Sequence, residues 1–230
     1  MTLTTNASAG GAAPARAHNA ATPANPLLRL GELASLQPGY PFACLQKNPD
    51  GKLALLQKKD VLAASGPIQP QGLEQVLETA SCAASIDAQL ALQADDLILA
   101  RHAGIWLVRV LAEPAAMTIC TEPLWRIRIL SPTSLLPSYL AWYLNTDAAQ
   151  TALGRYLGQG SLREGFNSMA VRLPPMAIQN DIAALFATHQ TRDAAAQALR
   201  TQKKQQLDAT LLKMSCVTTP DAARLLGELH

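Results

Sequence analysis

A proline pair followed by a long helical pattern constrains this chain more than any other feature. Proline pushes the residue before it out of the helical region, so Val171-Arg172-Leu173-Pro174-Pro175 reads as extended and a helix begins beyond it. The pattern then runs from about Met176 to Met214. Ile178, Ile182, Leu185 and Phe186 anchor its start on one face. Ala194, Ala195, Ala196, Ala198 and Leu199 permit close approach of another helix in its middle, and Leu207, Leu211 and Met214 close it. About 38 residues at ~1.5 Å each give a rod of roughly 57 Å. No compact domain of this size needs such a rod internally, so it is expected to pack against a partner helix. Polar residues between Arg200 and Gln206 break a heptad seam, which makes an Ala-rich antiparallel pairing the expectation rather than a leucine zipper.

The rest of the chain can supply one domain of ordinary size. It has 230 residues, 49% of them hydrophobic but only 4% aromatic, so a core of Leu, Ile, Val and Ala is expected and full disorder is excluded. The 19 Lys and Arg against 17 Asp and Glu give +2, which excludes a strongly basic nucleic-acid sponge and leaves room for a local basic face. No run of apolar residues is long enough to span a membrane. The N-terminus lacks a charged region followed by an apolar one, so no secretory signal is expected. Cys44, Cys82, Cys120 and Cys216 are far apart and form no metal-ligand spacing with histidine. No metal or cofactor is expected, and the cysteines read as reduced thiols of a cytoplasmic protein.

Met1 to Pro26 is rich in Ala, Thr, Asn, Gly and Pro and cannot bury enough apolar area to offset its ordering entropy. It is expected to be a disordered tail. Residues 27–175 are expected to form the folded domain and 176–214 the long helix. Residues 215–230 should hold a short terminal helix with Thr219 as its cap. Within the domain, Asn48-Pro49-Asp50-Gly51 followed by Lys52 to Leu56 reads as a short β-ribbon, and Asp60 to Gly72 as loop. Leu97–Ala100, Ile105–Ala112, Met117–Thr121 and Leu124–Leu130 are short apolar runs between turn residues, the signature of strands. Alternation puts Trp125, Ile127 and Ile129 on one face and Arg126 and Arg128 on the other, where they could meet phosphates or form a solvated sheet face. One helix is expected from Pro137 to Gly158, then a flexible polar loop over 158–167. The fold class is α+β: a small mixed domain with a β-rich core, then a long coiled-coil-type helix.

Charge is uneven. Residues 61–96 hold Glu74, Glu78, Asp87, Asp95 and Asp96 and no Lys or Arg, between two segments with a basic excess. No Gly-rich phosphate loop and no Glu-x-Lys triplet occurs. Asp95 and Asp96 are adjacent, and adjacent strand residues point to opposite faces, so they make a poor metal pair. His102 has no Cys or Ser partner visible in the sequence and reads first as a loop histidine. Catalysis by this chain is not expected.

An ordered set of motifs resembles the specificity subunits of type I restriction–modification enzymes. Leu30-Gly31-Glu32-Leu33-Ala34 with Gly39-Tyr40-Pro41-Phe42 resembles the family's opening. Leu56-Gln57-Lys58-Lys59-Asp60-Val61 is similar to its strand ending in a basic residue and Asp. Asp95-Asp96-Leu97-Ile98 resembles its Gly-Asp-Ile-Leu turn, with Asp95 in place of Gly. Pro137 to Leu144 resembles the recognition-domain helix. Gly160-Ser161, then Leu173-Pro174-Pro175 and Gln179 to Phe186, resemble the step into the spacer helix, with Ile178 where Glu usually precedes Gln179. The likeness covers about residues 27–214, one recognition domain and one spacer helix where the family usually has two of each.

That resemblance implies a non-catalytic subunit that reads a half-site in double-stranded DNA and positions the methyltransferase and restriction subunits. It implies DNA contacts from Lys58, Lys59, Arg101, His102, Arg126, Arg128, Gln159, Ser161 and Arg163, with Gln159 or Arg163 reaching a base edge. It also implies a homodimer built on the long helix through Ile182, Leu185, Phe186, Leu199, Leu207 and Leu211. A protein–protein adaptor that keeps the fold without reading DNA is the competing expectation.

Overall fold

The computed structural model describes residues 25–79, 89–114, 116–156 and 161–217. Most of the expected tail, Gln159 and the helix expected at 219–229 lie outside these residues. In chain order the first half holds β1 (Leu27–Arg29), α1 (Leu30–Leu33), β2 (Ala34–Pro38), β3 (Leu45–Lys47), β4 (Leu53–Leu56), α2 (Lys58–Ala63) and β5 (Glu74–Glu78). Then come β6 (Leu97–His102), β7 (Ile105–Val110), β8 (Thr118–Cys120), β9 (Trp125–Ile129), α3 (Pro137–Leu144), α4 (Asp147–Tyr156), α5 (Leu162–Ser168), β10 (Ala170–Arg172) and α6 (Met176–Val217).

The strands make an antiparallel sheet of order β2-β9-β6-β7, a second sheet of order β3-β5-β4-β8, and a β1-β10 pair. Strand β6 explains how they stack. Its Leu97-Ile98-Leu99-Ala100 run is buried at every position. Leu97 and Leu99 enter a core with Leu140, Leu144, Leu153 and Phe166 of the helices, whereas Ile98 and Ala100 enter another with Leu56 and Cys120 of the second sheet and Val61 of α2. A strand covered on both faces needs apolar residues throughout, and each buried Leu or Ile contributes about 1.5–3 kcal/mol.

Several expected elements differ. The β3–β4 ribbon is split, because β5 lies between its strands and pairs antiparallel with both. Gly51 makes room: a Cβ there would sit 2.4 Å from the Val76 carbonyl oxygen. The acids of β5 hid a strand whose Glu74 is paired to Lys47 at 2.7 Å. Part of the expected 60–72 loop is α2, whose first turn closes when Gln57 N donates to Asp60 Oδ2 at 2.8 Å. The single helix expected over 137–158 is two. Asn145 ends α3 and turns its amide to Val108, accepting from Val108 N at 3.2 Å and donating to Val108 O at 3.0 Å. The expected polar loop contains α5, capped by Ser161, whose Oγ accepts from Glu164 N at 3.2 Å. Cys44 is disulfide-bonded, against the expectation of reduced thiols, while Cys120 is a buried free thiol.

The long helix starts at Met176 as expected and has 42 residues, a rod of roughly 63 Å. It leaves the domain across α3 and continues beyond it, so residues 201–211 are exposed at every position.

Candidate nucleic-acid interface

The candidate cations fall into three structural situations. Arg101 and His102 end β6, at a hairpin tip whose turn residues Ala103 and Gly104 have φ of 48° and 86°. Two consecutive positive φ values match the twist of a tight antiparallel turn and project the tip into solvent. Both side chains are exposed. Gln150 of α4 holds the hairpin just behind its tip, accepting from Trp106 N at 2.8 Å and donating to Trp106 O at 2.7 Å. Helix α4 packs on α5, which carries Ser161 at its cap and an exposed Arg163. Arg163 borders an open groove of about 280 Å³ with Ser35, Gln37 and Asn167. Arg155, exposed in the last turn of α4, belongs to the same layer, and sequence reasoning missed it. Its place four residues before the motif-bearing Gln159-Gly160-Ser161 was the available signal.

Lys58 and Lys59 stand in the first turn of α2. That helix packs through Val61 into the core shared with Ile98 and Ala100, so it covers the opposite face of β6 from α4 and α5. The two lysines are therefore not brought together with Arg163. They meet the other group only through the β6 tip, where alternation places Arg101 on the Leu97–Leu99 side and His102 on the Ile98–Ala100 side.

Arg126 and Arg128 do not form an outer face. Arg126 is 4% exposed, its guanidinium donating to the carbonyls of Gln89 at 2.6 Å and Ala91 at 3.2 Å and to Gln37 Oε1. Arg128 makes a bidentate pair with Asp96, Nε to Oδ1 at 2.8 Å and Nη2 to Oδ2 at 2.7 Å. Asp96 is 2% exposed and also accepts from Gln93 N at 2.8 Å. The hydrogen bonds to Asp96 raise the Arg128 pKa above its ordinary value. The residues around 89–96 thus lie over the face that alternation had assigned to solvent. Arg126 is buried and Arg128 half-buried, and the guanidinium of each is held by partners within the protein. Among the described residues no group of His, Cys, Asp and Glu is arranged to hold a metal ion.

The long helix is fixed to the domain by Gln179, which is fully buried. Its Oε1 accepts from Leu136 N at 2.9 Å, and its Nε2 donates to Ser134 O and Pro174 O at 2.8 Å each. Of the expected dimer residues, Ile182 packs against the helical core and Phe186 is half-buried. Leu185, Leu199, Leu207 and Leu211 are exposed. Two grooves of about 600 Å³ flank the helix. One is lined by Trp142, Ile182, Leu185 and His189, and the other by Ala64, Arg109, Ala194, Gln197 and Ala198. Among the described residues Arg109 has no hydrogen-bond partner at Nε, and burial lowers its pKa.

No family model and no curated protein matches the chain. Solved structures do. A chain from a structure of the complex assembly and conformational transition of the type I R-M system aligns with TM-score 0.57 and 19% identity, over 84% of this chain and 46% of that one. The HsdS subunit from Thermoanaerobacter tengcongensis aligns with TM-score 0.49 and 22% identity, over 78% and 41%. The type I restriction-modification S subunit from M. genitalium aligns with TM-score 0.43 and 12% identity, over 78% and 42%. No described helix is long and apolar enough to cross a membrane. The chain spans less than half the length of these proteins, and it shares with the first the fold of a type I restriction–modification chain.

Proposed function

We propose that this chain reads a half-site in double-stranded DNA for a type I-like restriction–modification system in the cytoplasm, and that it does no covalent chemistry itself. The observation that carries this reading is the fold, shared over 84% of the chain with a type I restriction–modification chain at TM-score 0.57. The ordered motifs from Leu30 to Phe186 support it independently. Lys and Arg contacts to phosphate position such a protein, and contacts to base edges specify the sequence. Arg101, Arg155 and Arg163 would supply the first kind on the α4–α5 side, with Ser161 beside Arg163, and Lys58, Lys59 and His102 would supply it on the α2 side; Gln159 is carried as an expected contact from the sequence alone. Arg163 is the candidate for a base edge, since it borders a groove lined by polar side chains. The chain's partners would be the methyltransferase and restriction subunits, held in register by α6.

In this reading α6 pairs with α6 of a second copy through the small residues Ala194 and Ala198, which line the groove beside α2 and let two helices approach closely. An adaptor that does not read DNA is the second reading, favoured by the low net charge and by the placing of Lys58 and Arg163 on opposite faces of the sheet. Selection of bound sequences from a randomised duplex pool separates the two. A recovered motif supports DNA reading, and a pool retained without sequence bias supports the adaptor.

A further inference from the structure

Among the described residues, Arg109 is the one arginine taken partly out of water with no acceptor on its guanidinium. Its Nε is buried without a hydrogen-bond partner, and no described carboxylate stands within ion-pair distance. Arg128, half-buried in the same way, holds Asp96 through two hydrogen bonds. A cation that has lost water and gained no counter-charge is destabilising where it stands, and an anion brought to it offsets that cost.

The fold opens a space in front of this cation. Arg109 lies opposite Ile98 in the β6–β7 register, so its side chain leaves the sheet on the α2 side. There Arg109 and Gln190 of α6 together line two spaces. One is a narrow crevice of about 70 Å³ walled by Val110, Ala183 and Ala187, and the other is the open groove of about 590 Å³. The end of α2 and Ser65 form one wall of the groove, and α6 forms another with Gln190, Gln197 and the small residues Ala194 and Ala198. A volume of that size takes a small molecule rather than a bare ion. Among the described residues Asp193 is the one carboxylate on its wall, and it is turned to His189 at 2.9 Å.

We propose that this groove binds a small molecule bearing a carboxylate or a phosphate. Its anionic oxygens accept from the Arg109 guanidinium, and the Ser65 hydroxyl and the Gln190 and Gln197 amides hydrogen-bond its polar body. None of these residues belongs to the proposed DNA-facing set, so the site stands apart from DNA reading, and duplex binding is not part of its test. A ligand here and a second α6 would compete for the Ala194–Ala198 wall, so the measurement uses chain diluted well below micromolar.

The test is thermal unfolding of the full chain followed by tryptophan fluorescence, at ionic strength held constant with sodium chloride. The probes are inorganic phosphate and succinate, with glycerol as the neutral control. At millimolar concentration at least one of the two anions should raise the midpoint by about 3 °C or more, and glycerol should leave it in place. A shift with phosphate alone identifies a phosphorylated ligand, and a shift with succinate alone identifies a carboxylate. Arg109→Gln should lose the shift, and without added anion it should unfold no earlier than the unchanged chain. Arg109→Lys keeps the charge and the stem, and serves if the Gln variant does not fold. It should retain less than half of the shift, because one ammonium replaces a planar fork of donors. Absence of a shift with both anions, or an equal shift in the unchanged chain and in either Arg109 variant, would overturn the proposal.

Discussion

Gln179 Oε1 accepts a hydrogen bond from the backbone N of Leu136 at 2.9 Å, tying the first turn of α6 to the entry of α3. The same amide donates twice, to Ser134 O and Pro174 O. One fully buried side chain thus satisfies three backbone groups where α6 meets the entry of α3.

Replacing Gln179 with Leu should destabilise the chain by about 1–3 kcal/mol, because the Leu136 N–H and two carbonyls lose their partner inside the protein. Gln179→Glu should recover part of the loss, since a carboxylate still accepts from Leu136 N but cannot donate. Urea denaturation measures both. Spin-label distances between the domain and distal α6 should broaden in the Leu variant.

Asp96→Ala leaves Arg128 without its bidentate partner and removes the acceptor for Gln93 N. Breaking a buried ion pair from one side costs about 3–5 kcal/mol, and the partial exposure of Arg128 places this case near the lower end. Chemical denaturation should show the loss. If Arg128 served DNA instead, the variant would keep its stability and alter duplex affinity alone.

Burial pushes the Cys120 thiol up to about 12 from its ordinary 9.0. A thiolate is the reactive form, so native protein at pH 8 should resist maleimide at Cys120 and react after denaturation. The folded state keeps this proton where the unfolded chain releases it. The resulting stabilisation is complete below about pH 9 and is lost as pH rises towards 12. Peptide mass mapping of labelled native and denatured protein checks the first point, and denaturation midpoints between pH 8 and 11 check the second.

Ala194→Glu with Ala198→Glu should abolish self-association, because two helices that approach through alanine cannot hold buried carboxylates between them. Light scattering at micromolar concentration should show a dimer for the unchanged chain and a monomer for the variant. A dimer that survives both changes would place the contact elsewhere on α6.

The apolar strands of the domain and the start of α6 were legible because their signals are local. Leu97 to Ala100 is a buried run, and Pro174-Pro175 sets a boundary that the structure keeps at Met176. Elements hidden behind polar residues were not legible. The charges of β5 look solvated until Lys47 and Gln57 are seen to bind Glu74, at 2.7 and 2.8 Å. Cap chemistry turned two expected loops into helices, through Asp60 at α2 and Glu164 at α5. For the candidate interface, alternation correctly separated Arg126 and Arg128 from Ile127. It could not show that residues from 89 to 96, remote in sequence, would cover that face. Whether a strand face meets solvent is a tertiary fact, and one strand's period does not contain it.

The measurement that bears most directly on the central claim is duplex DNA affinity as a function of salt, taken for the unchanged chain and for Arg101→Ala/Arg155→Ala/Arg163→Ala. Log affinity should fall with log salt by about 0.9 for each phosphate contact, and the triple variant should lower that slope by about 2–3 while its denaturation midpoint stays unchanged. A sequence-selected duplex should bind more tightly than a scrambled one at every salt concentration. Absence of duplex binding at low salt, or a slope that the triple variant leaves unaltered, would contradict DNA reading by this surface.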